Sequence, residues 1–240
     1  MQEQLPGTTT YALRRSARRR RTIELSVDPA GGLIVAAPMR TPHHEIDAFV
    51  QQKTRWIRKA LRDARERAKH LRRDFVTGES LPYLGRSLRL SVVDAVAGRS
   101  GVELRGACLE LRLPPGVSEG ERRSAIIKSL EGWYQTPART ALLDRVQFFA
   151  PLLGVEPKAV RVRNQKTRWG SCGKDATLYF SWRLIMAPPA VADYLVVHEL
   201  CHLRRPDHGR AFWSLVASVL PDSQERRAEL RRDGWRYRLC

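Results

Sequence analysis

The chain has 240 residues, of which 42% are hydrophobic, and its formal net charge at pH 7 is +18. That length allows one large domain or two smaller ones, and neither a secretory signal nor a run of about 18 uncharged apolar residues is recognisable, so we expect no membrane span. Four cysteines, at 108, 172, 201 and 240, are too few and too irregularly spaced for a disulfide framework, which favours a cytoplasmic location.

The first part of the chain, residues 1–115, shows the alternation of polar and apolar residues that is typical of β-strands. The alternation is clear over 22–27, a turn is predicted at 28–32, and a second strand returns over 33–37. Short alternating runs broken by glycines recur over 78–114. We therefore predict an N-terminal β-rich part with antiparallel pairing.

One long helix is predicted within this part, from about Glu45 to Arg72. Apolar residues recur with the helical period in its first half, and its last turns are mostly charged, which indicates a solvated surface. The side of this helix that faces the core is predicted to carry Ile46, Phe49, Val50, Lys53, Trp56, Ile57 and Leu61.

The second part, residues 116–240, begins at a shift in composition and is predicted to be a separate, mainly helical domain. A helix is expected over 118–149, and Pro137 should kink or split it. Strands are expected at 160–163 and 178–184. Strands followed by helices in this order predict the α+β fold class.

The strongest signal for chemistry is the sequence HELCH at 198–202. His198 and His202 are one helical turn apart, so both imidazoles leave the same face of a helix and can share one metal ion. Glu199 is placed to reach a metal-bound water as a general base. With His208 as a third ligand, zinc would keep a fourth position for water, whose pKa falls to about 7 on binding.

Prolines mark both ends of the helix that carries this motif. The pair at 188–189 fits a helix start, where the missing N–H costs nothing. Pro206 is predicted to end the helix, because the residue before a proline is pushed out of the helical conformation. A turn at 205–207 is therefore expected to bring His208 back towards the metal, and a second helix is predicted over 210–220.

Two interpretations compete with a catalytic metal centre. The histidines are ordinary core or surface residues in the first. In the second, Cys172 and Cys201 complete a closed structural zinc site with histidines. The cysteines lack the C-x-x-C spacing of such sites, and a structural site does not need Glu199, so the catalytic interpretation is favoured.

Two stretches resemble the YgjP-like metal-dependent hydrolases: HELCHLRRPDHGRAFW at 198–213 and KTRWGSC at 166–172. These hydrolases belong, with the SprT-like proteins, to the zincin metallopeptidases, and the resemblance extends from about 11 to 222. It implies a C-terminal zincin-like catalytic part, one Zn²⁺ per chain and a protein or peptide substrate. It also implies the roles of four residues: the zinc ligands His198, His202 and His208, and the catalytic base Glu199. The chain departs from the family's usual residues at Ser181, Cys201, Asp207 and Gly209.

The resemblance places the segment at 168–172 beside the metal. Arg168, Trp169 and Ser171 are therefore candidate substrate-binding residues, with Arg168 suited to a carboxylate or phosphate. The alternative is structural, with Trp169 in the core and Gly170 in a turn. An edge strand beside the active-site helix can bind an extended substrate through its main chain, and either this segment or 177–184 is expected to supply it.

The net charge of +18 favours binding to nucleic acid, nucleotides or an acidic partner. The densest basic run lies at 14–21. The chain has thirty-six arginines and only seven lysines, however, so a general arginine bias in composition explains the charge equally well.

Three functional hypotheses follow. The first is a zinc-dependent metallopeptidase, the second a metal-dependent phosphohydrolase acting on nucleotides, and the third a nucleic-acid-associated protein with a structural zinc site. A peptidase should present an exposed strand beside the metal, and a phosphohydrolase a pocket lined by arginines. A binding protein should present a basic face without an open cleft.

Overall fold

A computed structural model describes residues 2–4, 10–17, 19, 21–28, 32–71, 73–96, 99–165 and 167–239, with the backbone alone at 2–4 and 67–71. Of the residues singled out in the sequence, Arg18, Arg20, residues 29–31 of the predicted turn, Arg72, Lys166 and Cys240 lie outside this part. Packing separates the chain into two compact units, Met1–Arg72 and Arg73–Cys240. The domain division between 115 and 116 remains a prediction.

The first unit is a four-stranded sheet with two helices. In sheet order its strands are β1 (Gln2–Gln4), β2 (Thr10–Ser16), β4 (Leu33–Pro38) and β3 (Glu24–Val27), and its helices are α1 (His43–Gln52) and α2 (Thr54–Leu71). Apolar residues alternate along β4, so that every second side chain enters the core. That core is formed by Tyr11, Leu33, Val35, Ala37, Ile46, Val50 and Ile57.

The long helix predicted here is divided at Lys53 into α1 and α2. The Thr54 hydroxyl donates a hydrogen bond of 2.7 Å to the Gln51 carbonyl, a local contact that competes with regular helical pairing at the break. The prediction that Lys53 and Trp56 lie on the side that faces the core is wrong, because both are exposed, Trp56 over 48% of its surface. Ile57 takes the inward position one residue later.

The second unit begins with another four-stranded sheet. In sheet order its strands are β5 (Ser80–Tyr83), β6 (Arg86–Asp94), β8 (Cys108–Leu113) and β7 (Gly101–Arg105). Both four-stranded sheets have the same topology: the outer pairs are antiparallel, as predicted, but the central pair is parallel. In each sheet the chain passes from the second strand to the far edge, where it forms the third strand, and then turns back in a hairpin to form the fourth. The returning strand therefore lies beside the second strand in the same direction.

The helix α3 (Glu119–Leu153) continues through Pro137, which was expected to kink or split it. Its inward side chains recur every fourth residue, and Tyr134 and Ala138, on either side of the proline, are both fully buried. Packing on both sides holds the chain helical, so that the lost N–H at Pro137 does not end the helix.

A three-stranded sheet and three further helices complete this unit. The sheet order is β10 (Gly170–Cys172), β11 (Thr177–Ser181) and β9 (Ala159–Arg163), and the helices are α4 (Pro189–Cys201), α5 (Arg210–Val219) and α6 (Ser223–Asp233). The strand predicted to reach Leu184 ends at Ser181, where a buried 3₁₀ helix, Trp182–Met186, begins. Because β11 is paired on both sides, the expectation that 177–184 supplies an edge is wrong.

The α+β fold class is confirmed. None of the helices in the described part of the chain is long and apolar enough to span a bilayer. Two buried clusters meet along α3, one with the second four-stranded sheet and one with β9–β11, α4 and α5. The helix α3 thus connects the framework to the elements that carry the histidines.

The contribution of the buried side of α3 to stability can be tested by making the same substitution at a buried and at an exposed position. Leu130→Ala removes a fully buried side chain and should lower the free energy of unfolding by about 2–5 kcal/mol. Leu152→Ala makes the same change on the same helix where the side chain is 60% exposed, and should cost less than about 0.5 kcal/mol. Urea unfolding followed by circular dichroism measures both; equal losses would contradict the packing described for α3.

Candidate metal centre

The helix α4 carries two of the three candidate ligands. It begins as predicted, with Pro188 as its N-cap and Pro189 in the first turn. Most of its side chains are apolar and buried, so that the helix is packed on several sides at once. His198 and His202 lie one turn apart near its end, and their ring centroids are 4.9 Å apart.

The turn after α4 brings the third histidine back, as the prolines in the sequence predicted. The helix ends at Cys201, earlier than Pro206, and the turn is closed by a 2.9 Å hydrogen bond from the Arg205 amide to the Cys201 carbonyl. His208 then lies with its Nε2 atom 3.1 Å from the Nε2 atom of His198. One ring nitrogen from each of the three histidines lies within 4.8 Å of the others.

The donor set fits a tetrahedral zinc ion. Ligand bonds of about 2.0–2.1 Å at tetrahedral angles place two nitrogens about 3.3 Å apart, close to the 3.1 Å separation of His198 and His208. The Nδ1 atom of His202 lies 3.2 Å from the Arg205 carbonyl oxygen. Because that oxygen can only accept, Nδ1–H donates to it and Nε2 is left free to bind a metal. Burial, and the nearby His202 and His208, lower the pKa of His198 to about 3, so the imidazole is neutral, as a ligand must be.

Aromatic side chains of α5 hold the three imidazoles in place. The Phe212 ring lies 4.9, 4.7 and 4.8 Å from the rings of His198, His202 and His208, measured between centroids. Trp213 stacks on His208 at 5.7 Å and carries the Arg227 guanidinium on its ring at 4.3 Å. The sequence predicted a helix over 210–220 and no role for its aromatic residues, because their support of the histidines depends on how α5 packs against α4.

Glu199 lies beside the histidines and packs against the edge strand β10, where only 4% of its surface is exposed. Burial raises its pKa to about 7, although the Cys172 backbone N–H and the charge of Arg168 oppose the shift. A carboxylate in this range can both accept and release a proton near neutral pH. A metal cation bound between the histidines would lower the pKa of Glu199 and favour its ionised form.

Gly170 is a functional position that the sequence interpretation missed. A Cβ atom at Gly170 would lie 2.8 Å from Oε1 and 2.9 Å from Cγ of Glu199, so only glycine lets the carboxylate lie against the strand. The sequence offered glycine as a turn residue, and Gly170 instead begins β10. The sequence showed only that a glycine lies between Trp169 and Ser171. The contact of this glycine with Glu199 exists only in the folded chain.

The histidines and Glu199 open into a cleft with a volume of about 690 Å³. One wall is formed by β10 and the turn that follows it, from Gly170 to Lys174, and the other by the end of α4 and the turn to His208. All three histidines and Glu199 line this cleft. Among the described residues that line it, none is an arginine.

The three candidate substrate-binding residues lie in different surroundings. Ser171 lines the cleft. Arg168 is exposed, and its positive charge acts on the carboxylate of Glu199. Trp169 packs against both buried clusters and against Tyr237, with ring centroids 6.2 Å apart, which is the structural environment that the sequence left open.

The cysteines do not join the histidines. In the described part of the chain, the group of side chains positioned to hold a metal consists of His198, His202 and His208 alone. Cys201 is fully buried, and burial raises the pKa of its thiol to about 12. Cys172 has a free thiol at the cleft, with its pKa also raised by burial. This arrangement disfavours a closed Cys/His zinc site.

Comparison with known proteins gives the class and then the family. Residues 21–233 match a family model that describes a metallopeptidase domain, so by class the chain is a metal-dependent peptidase. The chain belongs to the YgjP-like metallopeptidase family, as its resemblance indicated. Membership implies a metal cofactor and protein or peptide substrates.

No curated protein matches the chain significantly. Among solved structures, the crystal structure of the metallopeptidase zymogen of Pyrococcus abyssi abylysin is similar to 38% of this chain and 93% of its own, with 23% sequence identity and a TM-score of 0.34.

The close approach of Gly170 and Glu199 can be tested with a pair of glycine substitutions. Gly170→Ala should lower the free energy of unfolding by about 1–3 kcal/mol, because the added methyl group displaces a buried carboxylate. Gly132→Ala, in α3, meets no atom within 4 Å and should stabilise the protein by about 0.5–1 kcal/mol through helix propensity. Urea unfolding of both variants is the measurement; a Gly170→Ala protein as stable as the parent would contradict the packing.

Proposed function

We propose that the chain is a zinc-dependent peptidase that binds one Zn²⁺ through His198, His202 and His208 and uses Glu199 as its general base. The observation that supports this most directly is the convergence of three imidazole nitrogens within 4.8 Å beside a buried carboxylate, at the floor of an open cleft. Three protein ligands are typical of catalytic zinc sites, which keep one position open. Structural zinc sites are closed by four protein ligands.

The cofactor and the protein would contribute different parts of the reaction. Zinc supplies Lewis acidity, which polarises a peptide carbonyl and makes water more acidic. Glu199 takes the proton of the attacking water and later delivers it to the nitrogen of the leaving amine. Its burial suits both steps, because a carboxylate with a raised pKa holds the proton more firmly between them.

The edge of β10 is the proposed substrate-binding strand. In the described part of the chain β10 pairs only with β11. On its other edge the Cys172 N–H already donates a hydrogen bond to Glu199, so a substrate would use the main-chain groups of this edge that remain. An extended peptide added along this edge would gain main-chain hydrogen bonds and would place a carbonyl at the cleft. Arg168 and Ser171 lie at either side of Gly170 and are proposed to contact the substrate; Trp169 supports them from the core.

The two other hypotheses are less well supported. A phosphohydrolase acting on nucleotides should have arginines in its pocket, and the described lining of the cleft has none. A structural zinc site would not need an open cleft or a buried carboxylate. We also propose a cytoplasmic setting, because Cys108, Cys172 and Cys201 are free thiols.

Zinc binding can be tested on the least buried ligand. The purified protein should contain about one zinc per chain, and His208→Ala should lose most of it because two imidazoles hold zinc far more weakly than three. His44→Ala changes another exposed histidine, in α1, and should keep the metal. Metal analysis after dialysis measures both. Full zinc content in His208→Ala would exclude it as a ligand.

The role of Glu199 can be separated from that of the ligands. Glu199→Gln keeps the volume of the side chain but removes its basicity, so this variant should fold, retain zinc and lose about 100- to 10,000-fold in peptidase turnover. Zinc content, thermal stability and turnover on an unfolded protein substrate should be measured on one preparation. Unchanged turnover would remove Glu199 from the mechanism, whereas lost zinc would make it structural.

A further inference from the structure

The helix α2 carries a concentration of positive charge. Residues 53–72 include nine basic and two acidic residues. Five of the cations are exposed on the described part of the helix: Arg55, Arg58, Lys59, Arg62 and Arg65. At about 100° per residue they fall within an arc of about 120°, which also contains the exposed Glu66. We call this stripe of five cations and one carboxylate the basic face of α2.

This face is held in a fixed orientation by the opposite side of the helix. Ile57 is buried in the core of the first unit, and Leu61 packs against the same core. Because the apolar side of α2 is used by the fold, its basic side stays in solvent. The five cations form no ion pair or side-chain hydrogen bond within the described part of the chain, unlike Arg112 and Arg145, which bind carboxylates.

A general arginine bias does not account for this face. Such a bias would replace lysine by arginine everywhere, yet three of the seven lysines of the chain lie at 53, 59 and 69, in α2 or next to its start, and Lys59 is on the face itself. An even distribution would place fewer than one lysine in a segment of this length. The positive charge of α2 is therefore concentrated in position and mixed in residue type.

An exposed aromatic side chain lies at the border of the basic face. Trp56 is 48% exposed and lies three residues before Lys59, so the two side chains are neighbours on the helix surface. Exposed tryptophan beside cations is the combination that binds single strands: the cations attract the phosphates and the ring stacks on a base. The sequence alone did not indicate it, because the period of the helix placed Trp56 in the core.

We propose that the basic face of α2, together with Trp56, binds single-stranded nucleic acid. Single strands are favoured over duplexes because only unstacked bases are available to the ring of Trp56. An anionic membrane is disfavoured because helices that bind membranes insert their apolar face, and the apolar face of α2 is already packed in the core. This binding site does not depend on the proposed peptidase activity.

The experiment measures binding of the full-length protein to fluorescent single-stranded oligonucleotides of about 16 nucleotides, as DNA and as RNA. Fluorescence anisotropy at several salt concentrations between about 50 and 200 mM gives the slope of log K against log salt. Each phosphate contact contributes about 0.7 to this slope, so the double substitution Arg58→Gln/Arg62→Gln should make it shallower by about 1.4. Trp56→Ala should weaken binding by about 5- to 150-fold, and Trp56→Phe should recover most of the loss.

Matched controls separate this face from the overall charge. Lys128→Gln/Arg139→Gln removes the same charge from exposed positions on α3 and should leave the slope and the affinity unchanged. Glu199→Gln should bind like the parent protein, so a failed peptidase test and a failed binding test remain distinguishable. Circular dichroism checks that each variant is folded.

Four results would overturn the proposal. The first is no binding of the parent protein at about 50 mM salt. The second is an equal loss from the α3 double substitution, which would mean that only net charge matters. The third is an unchanged affinity in Trp56→Ala. The fourth is equal binding of a duplex or of anionic phospholipid vesicles, since neither the duplex nor the vesicle offers an unstacked base to the ring.

Discussion

The buried helix α4 is the constraint on which the rest of the second unit depends. It is surrounded by α3, α5, α6 and β10, and eight of its thirteen residues are buried. A polar side chain in such surroundings must find a partner or be neutral, because an unpaired buried charge is costly. His198 lines the cleft together with His202 and His208. The Glu199 side chain lies against Gly170 in β10. Burial thus lowers the pKa of His198 and raises that of Glu199, so it favours the neutral form of both side chains.

Local sequence patterns were sufficient for the parts of the structure that depend on local geometry. The four-residue spacing of His198 and His202 is a property of any helix, and Pro206 predicted the turn that returns His208. The alternation along 22–27 and 33–37 gave β3 and β4, because every second residue in a half-buried strand must be apolar. The grouping of the histidines was therefore visible before the fold was known.

Other features depend on contacts between segments that are distant in the sequence. Pro137 looked like a break, but packing of α3 on both sides keeps the helix continuous. Trp56 fitted the apolar period of its helix and is exposed, since Ile57 fills the core. The parallel central pairs, the pairing of β11 on both sides and the approach of Gly170 to Glu199 all depend on tertiary packing, to which the period of a single segment is insensitive.

The short edge strand β10 has a consequence for solubility. An unpaired strand edge can bind the edge of another copy and begin aggregation, and long, flat, apolar edges carry the greatest risk. The strand comprises only Gly170, Ser171 and Cys172, and its glycine weakens it as a template for pairing. Lys174 follows in the next turn, and a lysine beside an edge disfavours contact between copies by charge repulsion. An edge this short can accept one extended chain for a few residues and offers little to a growing β-aggregate.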